Sequence, residues 1–206
     1  MPTSSADTVV LNDGNVMPAF GLGVYQCRMG ETKGAVLHAL RAGYRHIDTA
    51  EIYMNEDDVG AAVAEFVAEG NVTRAELWIT TKFFPKPGRG REAVLEALNQ
   101  SLRMLRMEFV DLYLIHSPKT KDLRLEQWAT LVEAQKAGLC RSIGVSNYGS
   151  ARAPLFFARQ IVFALRRATL APHSLRCACS PPPRGAQGER HAGGARRQSG
   201  AQCSVS

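Results

Sequence analysis

The sequence predicts a parallel α/β architecture, and three observations carry that prediction. Short apolar runs alternate with longer stretches whose apolar residues recur at helical spacing. The runs are apolar on both faces, as the strands of a sheet covered by helices must be. Polar and ionisable residues gather where the runs end, which in a parallel β/α fold is a single functional face.

Taken in order, residues 9–11 and 16–18 flank Asn12-Asp13-Gly14-Asn15, a hairpin signal because Asp-Gly tolerates positive φ. Residues 20–23 read as a first buried strand. A helix over 31–42, with Val36, Leu37 and Leu40 on one face, leads to a short strand at 46–48. The next helix, 57–69, repeats Val59, Val63, Phe66 and Val67 with a period near 3.6. Thr73 to Glu76 has capping-box spacing, followed by a strand at 77–82. A helix over 91–105 buries Val94, Leu98, Leu102 and Leu105, and a strand follows at 110–115. The helix at 123–137 presents Leu125, Trp128, Leu131 and Val132 and stops at Gly138; a strand over 140–146 closes the regular part. Five strands alternating with four helices satisfy both a doubly wound sheet and a closed barrel, and periodicity alone does not choose.

The chain of 206 residues carries a formal charge of +6, unevenly spread. Residues 1–150 hold 16 basic and 18 acidic side chains, a net of −2, whereas residues 151–206 hold nine arginines and one acid, Glu189, a net of +8. The basicity therefore says nothing about partners of the first three quarters, and no specific nucleic-acid partner is expected. Cys27, Cys140, Cys177, Cys179 and Cys203 lack the paired spacing of a disulfide framework or zinc site, so no metal is expected. No basic start with an apolar run opens the chain, and no stretch reaches the ~18 apolar residues of a membrane span. A cytoplasmic, membrane-free setting is the expectation, which makes Asn71-Val72-Thr73 a chance glycosylation match.

Asp48 ends the second core strand, Lys82 the third, His116 the fourth, and Ser146-Asn147 the fifth; Tyr53 lies in the loop after Asp48. Each has a bland reading: a turn carboxylate, a solvated lysine, a loop histidine, a packing tyrosine, a simple turn. Four strands delivering such residues to one rim favour chemistry instead. A tyrosine beside a lysine, an aspartate and a histidine is suited to giving a proton to an oxygen on which charge develops. Tyrosine, a weak acid with a reference pKa of ~10, transfers its proton more easily beside a cation. Lys82 can supply that field, Asp48 can hold the ammonium in place, and a neutral His116 can donate where negative charge forms.

The chain resembles the aldo-keto reductase family over residues 9–148. Gly43-Tyr44-Arg45-His46-Ile47-Asp48-Thr49-Ala50, with Tyr53, Asn55-Glu56 and Val59-Gly60, is similar to that family's first signature. Val110 to His116 resembles its histidine strand, Arg141 to Tyr148 the segment ending on a serine-asparagine pair, and Gly21 to Tyr25 the opening strand and loop. The resemblance implies a (β/α)8 TIM-type barrel that binds NADPH and reduces an aldehyde or ketone, monomeric in full-length members. It implies Tyr53 as proton donor, His116 as carbonyl-orienting group, and Asp48 and Lys82 as the supporting pair. It also implies that Ser146 and Asn147 hold the nicotinamide carboxamide, with Gly23, Val24, Tyr25 and Asp48 lining the cofactor. Where relatives often place tryptophan after the histidine, this chain has Ser117, leaving aromatic contact with the substrate to Phe83 or Phe84.

Beyond Asn147 relatives continue with three more β/α units, and nothing in 149–206 matches them. That segment has no Lys, Asp, Asn, Tyr, Trp or Met, and Pro181-Pro182-Pro183 and Gly193-Gly194 interrupt it. The expectation is an incomplete barrel of about five β/α units over 1–150 and an Arg/Ala/Pro-rich, low-order tail over 151–206, with at most a helical turn or two at 161–170. Such a composition shift suits a changed reading frame or retained intron, and a chain that does not close its barrel is expected not to be a competent reductase. Two other functional classes therefore stand beside the reductase: an inactive truncated product, and an arginine-rich interaction module.

Overall fold

A computed structural model of the chain describes residues 8–28 and 30–148. The tail over 151–206, with its low-order expectation, its helical turn at 161–170 and Cys177, Cys179 and Cys203, lies outside the described residues.

The hairpin forms as the Asp-Gly signal predicts. Strands β1 (Thr8–Val10) and β2 (Val16–Pro18) pair antiparallel with Val9 opposite Met17, and Gly14 turns the loop at φ +87°. Asn15 Nδ2 donates to Ser142 Oγ at 3.0 Å, tying this hairpin to the last described strand.

Five strands then make one parallel sheet: β3 (Leu22–Gly23), β4 (His46–Asp48), β5 (Trp78–Phe83), β6 (Val110–Ile115) and β7 (Cys140–Val145), in that spatial order. The order decides between the two architectures left open. A doubly wound sheet reverses direction at a switch point. Here every strand is added on the same side of its predecessor, and right-handed crossovers then put all the helices on one face. Helices α1 (Thr32–Arg41), α2 (Glu56–Ala68), α3 (Arg91–Leu105) and α4 (Arg124–Lys136) pack each against the next. This is the winding of a partial barrel.

Register divides the side chains between its two faces. Asp48 pairs with Thr80, Thr80 with Leu112, Lys82 with Leu114, and Leu114 with Gly144, so all of these share the inner face. Ile47, Ile79, Thr81, Phe83, Tyr113 and Ile115 point the other way, toward the helices, and all are buried. Gly144 has to be small, since a Cβ there would lie 2.8 Å from Leu114 Cδ2.

Two expectations are corrected. The strand at 20–23 shrinks to Leu22–Gly23 and is not buried: Phe20 is 61% exposed, Leu22 is half-buried and Gly23 is exposed. Gly21 precedes it because its backbone passes against the His46 ring, where a Cβ would stand 2.8 Å from the ring. In α4, Leu125 is 74% exposed, because the inner stripe is centred on Gln127, Leu131 and Ala134. Buried Gln127 donates to Arg89 O at 2.8 Å and accepts from Thr120 Oγ1 at 3.0 Å, a polar anchor that an apolar count misses. The Thr73–Glu76 box does form. Glu76 accepts from Thr73 N and Oγ1 at 2.7 and 2.9 Å, around a single 3₁₀ turn (Arg74–Glu76) that feeds β5.

Candidate active site

The candidate site assembles on the C-terminal rim of the sheet. Asp48 ends β4 and Lys82 lies one residue before the end of β5, both on the inner face. The Lys82 ammonium is therefore carried across the gap between strands to pair with the Asp48 carboxylate. Lys82 is 2% exposed, and a buried ammonium requires partners. Besides Asp48 it donates to Thr49 O at 3.0 Å and reaches Tyr53 OH at 3.4 Å.

Tyr53 is presented by a short 3₁₀ turn (Glu51–Tyr53), closed by its N–H donating to Ala50 O at 2.9 Å. The turn is fixed to the next loop because Glu51 accepts from Phe84 N at 2.5 Å and pairs with Arg89 at 2.6 Å. Across the rim, His116 Nε2 stands 3.4 Å from Tyr53 OH. The phenolic oxygen thus lies equally far from the ammonium and the imidazole. His116 directly follows β6, with its N–H donating to Phe83 O at 2.9 Å. Burial, then the positive charges of Lys82 and Lys119, hold its imidazole down to about 4, so it is neutral around pH 7.

Aromatic side chains enclose this cluster. Tyr25 lies against Tyr53 with centroids 4.9 Å apart, and Phe84 meets His116 edge-on at 5.7 Å. Phe83 faces the helices and is fully buried, so of the two phenylalanines only Phe84 reaches the site.

Ser146 and Asn147 follow β7. Asn147 adopts φ +61°, a left-handed conformation that asparagine tolerates better than most residues. Its Nδ2 donates to His116 O at 2.8 Å and to Ser146 Oγ at 3.0 Å. This leaves Asn147 Oδ1 as an acceptor and the Ser146 O–H as a donor, side by side. A primary carboxamide offers the complementary pair, so the donor set fits the nicotinamide end of a dinucleotide.

The chain is similar to known proteins throughout this region. The Aldo/keto reductase family model matches residues 19–155. The chain belongs to the aldo/keto reductase family. An aldo-keto reductase of Bombyx mori is 42% identical over 160 residues, covering 70% of this chain and 51% of that protein. A glyoxal reductase of Bacillus subtilis is 45% identical over 149 residues, covering 72% of this chain and 52% of that protein. A crystal structure of the Bombyx mori aldo-keto reductase in complex with NADP superposes with a TM-score of 0.70 at 38% identity, covering 78% of this chain and 56% of that one. The chain spans about half the length of the curated relatives it matches.

For a member of the aldo/keto reductase family, the described residues bring together Asp48, Tyr53, Lys82 and His116, with Ser146 and Asn147 one strand further along. Gly23 lies at the end of β3, where a Cβ would meet nothing within 4 Å. Val24 is fully buried; its N–H donates to Asp48 O at 3.0 Å and its C=O accepts from Asn55 Nδ2 at 3.0 Å, so it holds the loop and presents no side chain to a ligand. The neighbouring Tyr25 points at Tyr53.

Two residues of the site escape a strand-end reading. Asn55 is 4% exposed, and it also accepts from Thr49 Oγ1 at 2.8 Å, so one amide fixes both the β3 loop and the residue whose carbonyl receives Lys82. Its sequence signal is the Asn55-Glu56 pair of the signature resemblance. Lys119, two residues beyond Ser117, carries no signal in an unaligned sequence.

Proposed function

We propose that residues 8–148 supply the proton-transfer half of an NADPH-dependent reduction of aldehydes or ketones to alcohols. The observation that carries this reading is the placement of Tyr53 OH at 3.4 Å from both Lys82 Nζ and His116 Nε2, with Lys82 paired to Asp48. When bound, NADPH supplies the hydride, and the complementary Ser146 and Asn147 groups would hold its carboxamide.

The side chains do the rest. A carbonyl oxygen lodged between Tyr53 OH and His116 Nε2 receives two hydrogen bonds, which strengthen as negative charge develops on it. Tyr53 then gives up its phenolic proton, and the Lys82 ammonium stabilises the phenolate left behind. Asp48 and Thr49 O pair with that ammonium and keep it aimed. His116 serves as a neutral donor, as its lowered pKa requires. Gly23 and Tyr25 border the cofactor, and Val24 fixes their loop. The substrate is a small carbonyl compound, the setting is cytoplasmic, and the whole protein acts without nucleic acid or membrane. Among the described residues no helix is long and apolar enough to cross a membrane. Residues 1–150 form the enzymatic unit.

Because the chain spans half the length of its relatives, the activity test supplies the other half from one of them. In a chimera of residues 1–147 with the C-terminal half of the Bacillus subtilis glyoxal reductase, Tyr53→Phe is expected to lower carbonyl reduction at least about a hundredfold. NADPH affinity, read by fluorescence titration, should stay near that of the parent. A Phe form that keeps a tenth of the parental rate removes Tyr53 from its role.

A further inference from the structure

Two lysines outside the Asp48–Lys82–Tyr53 cluster converge on the ring that abuts His116. Lys119 Nζ lies 4.8 Å from the centroid of Phe84, and Lys86 Nζ lies 6.0 Å from it. Phe84 in turn meets the His116 ring edge-on at 5.7 Å. The loops after β5 and β6, which are neighbouring strands, each deliver one of these ammonium groups to the same aromatic wall.

Their electrostatic state differs from that of the other cations on this rim. Lys82 is paired with Asp48 and Arg89 with Glu51. Lys86 and Lys119 are exposed, and among the described residues neither has a carboxylate partner. Contact with an exposed aromatic face attracts each ammonium only weakly, and two like charges gathered on one ring repel each other. An anion held beside this ring would offset that repulsion. The field is already felt at the reacting group, because Lys119 is one of the charges that hold the His116 imidazole below its ordinary value. Ser117, close by in the chain, is buried, and its Oγ has no hydrogen-bond partner among the described residues.

We propose that Phe84, Lys86 and Lys119 form the subsite for an anionic end of the substrate, so that the preferred carbonyl compound is an oxo acid. The aldehyde or ketone faces Tyr53 and His116, and a carboxylate a few bonds away lies against the two lysines. This rests on the carbonyl-reductase reading for the identity of the ligand, whereas the lysine subsite can be tested without turnover.

Binding is measured on the 206-residue chain with the product alcohols, which form no imines with lysine. Saturation-transfer NMR at low ionic strength compares 4-hydroxybutanoate with 1-butanol. The carboxylate is expected to bind about tenfold more tightly, as a pair of partly desolvated charge contacts allows, with the advantage shrinking as salt is added. It should fall to near parity in the Lys86→Gln/Lys119→Gln double variant and reverse in Lys119→Glu. NADP+ should leave the carboxylate's affinity standing. Equal binding, no binding of either alcohol, or an advantage that survives the double variant overturns the subsite. Displacement of the carboxylate by NADP+ also overturns it and gives the lysines to a cofactor phosphate. A second measurement uses the chimera, where kcat/KM for 4-oxobutanoate over butanal should drop about tenfold in the double variant; an unchanged ratio contradicts the proposal. Lysine-dependent carboxylate binding with no reduction of either aldehyde upholds the subsite and fails the reductase reading.

Discussion

At the scale of single residues, the candidate site holds two basic groups in different surroundings. Lys82 is paired with Asp48 and Thr49 O, while His116, 9% exposed, is held neutral around pH 7 by burial and the repulsion of Lys82 and Lys119. The consequence for pH has a definite sign. With the folded pKa near 4 and the unfolded value near 6.5, the unfolded chain binds more protons between those limits. Stability is therefore full above about pH 6.5 and declines as pH falls toward 4. The imidazole C2–H resonance of His116 should titrate with a midpoint near 4. A midpoint at 6 or above would mean that burial and the two lysines do not act on this ring. Asp48, Lys82, His116 and Tyr53 were legible in the sequence because each stands at or just after a strand end, and strand ends in a parallel sheet share one rim. The role of Asn55 was not, because it depends on the Thr49 hydroxyl and the Val24 carbonyl, which only the folded loop brings within reach.

At the scale of elements, helices α1, α2 and α3 were legible to within a residue or two, since each buries a stripe with a period near 3.6. α4 was legible in extent but not in orientation, as buried Gln127 and Thr130 occupy the inner stripe where apolar counting looked for Leu125. β3 was misjudged because two residues pairing along one edge need no burial to count as a strand. Close packing between α2 and α3 rests on Gly60, where a Cβ would stand 2.5 Å from Leu105 O. That neighbour is backbone, at the last residue of α3, so relief requires the two helices to move apart. Gly60→Ala is expected to cost about 1–3 kcal/mol despite alanine's better helix propensity. Thermal denaturation of the two forms checks this, and an equal or higher melting temperature for the alanine form would show that the helices yield freely.

At the scale of the whole molecule, the unbroken strand order from β3 to β7 gathers the candidate site on one rim and the hairpin of β1 and β2 against the sheet through Asn15 and Ser142. Barrel and doubly wound sheet share the same periodicity, so this choice was beyond the reach of pattern counting; it was legible only through the family resemblance, and the strand order settles it physically. The proposed function makes a chemical claim: a hydride and a proton reach the carbonyl from different sources, the hydride from NADPH and the proton through Tyr53. The most direct measurement follows the two separately in the chimera. NADPH carrying deuterium at the transferable C4 position is supplied with 4-oxobutanoate in ordinary water, and the alcohol product is examined by mass spectrometry and NMR. One deuterium bound to the former carbonyl carbon in each product molecule is the expected result, with the rate collapsing in Tyr53→Phe. Product without deuterium at that carbon, or deuterated product formed as fast by the Phe form, would contradict the account.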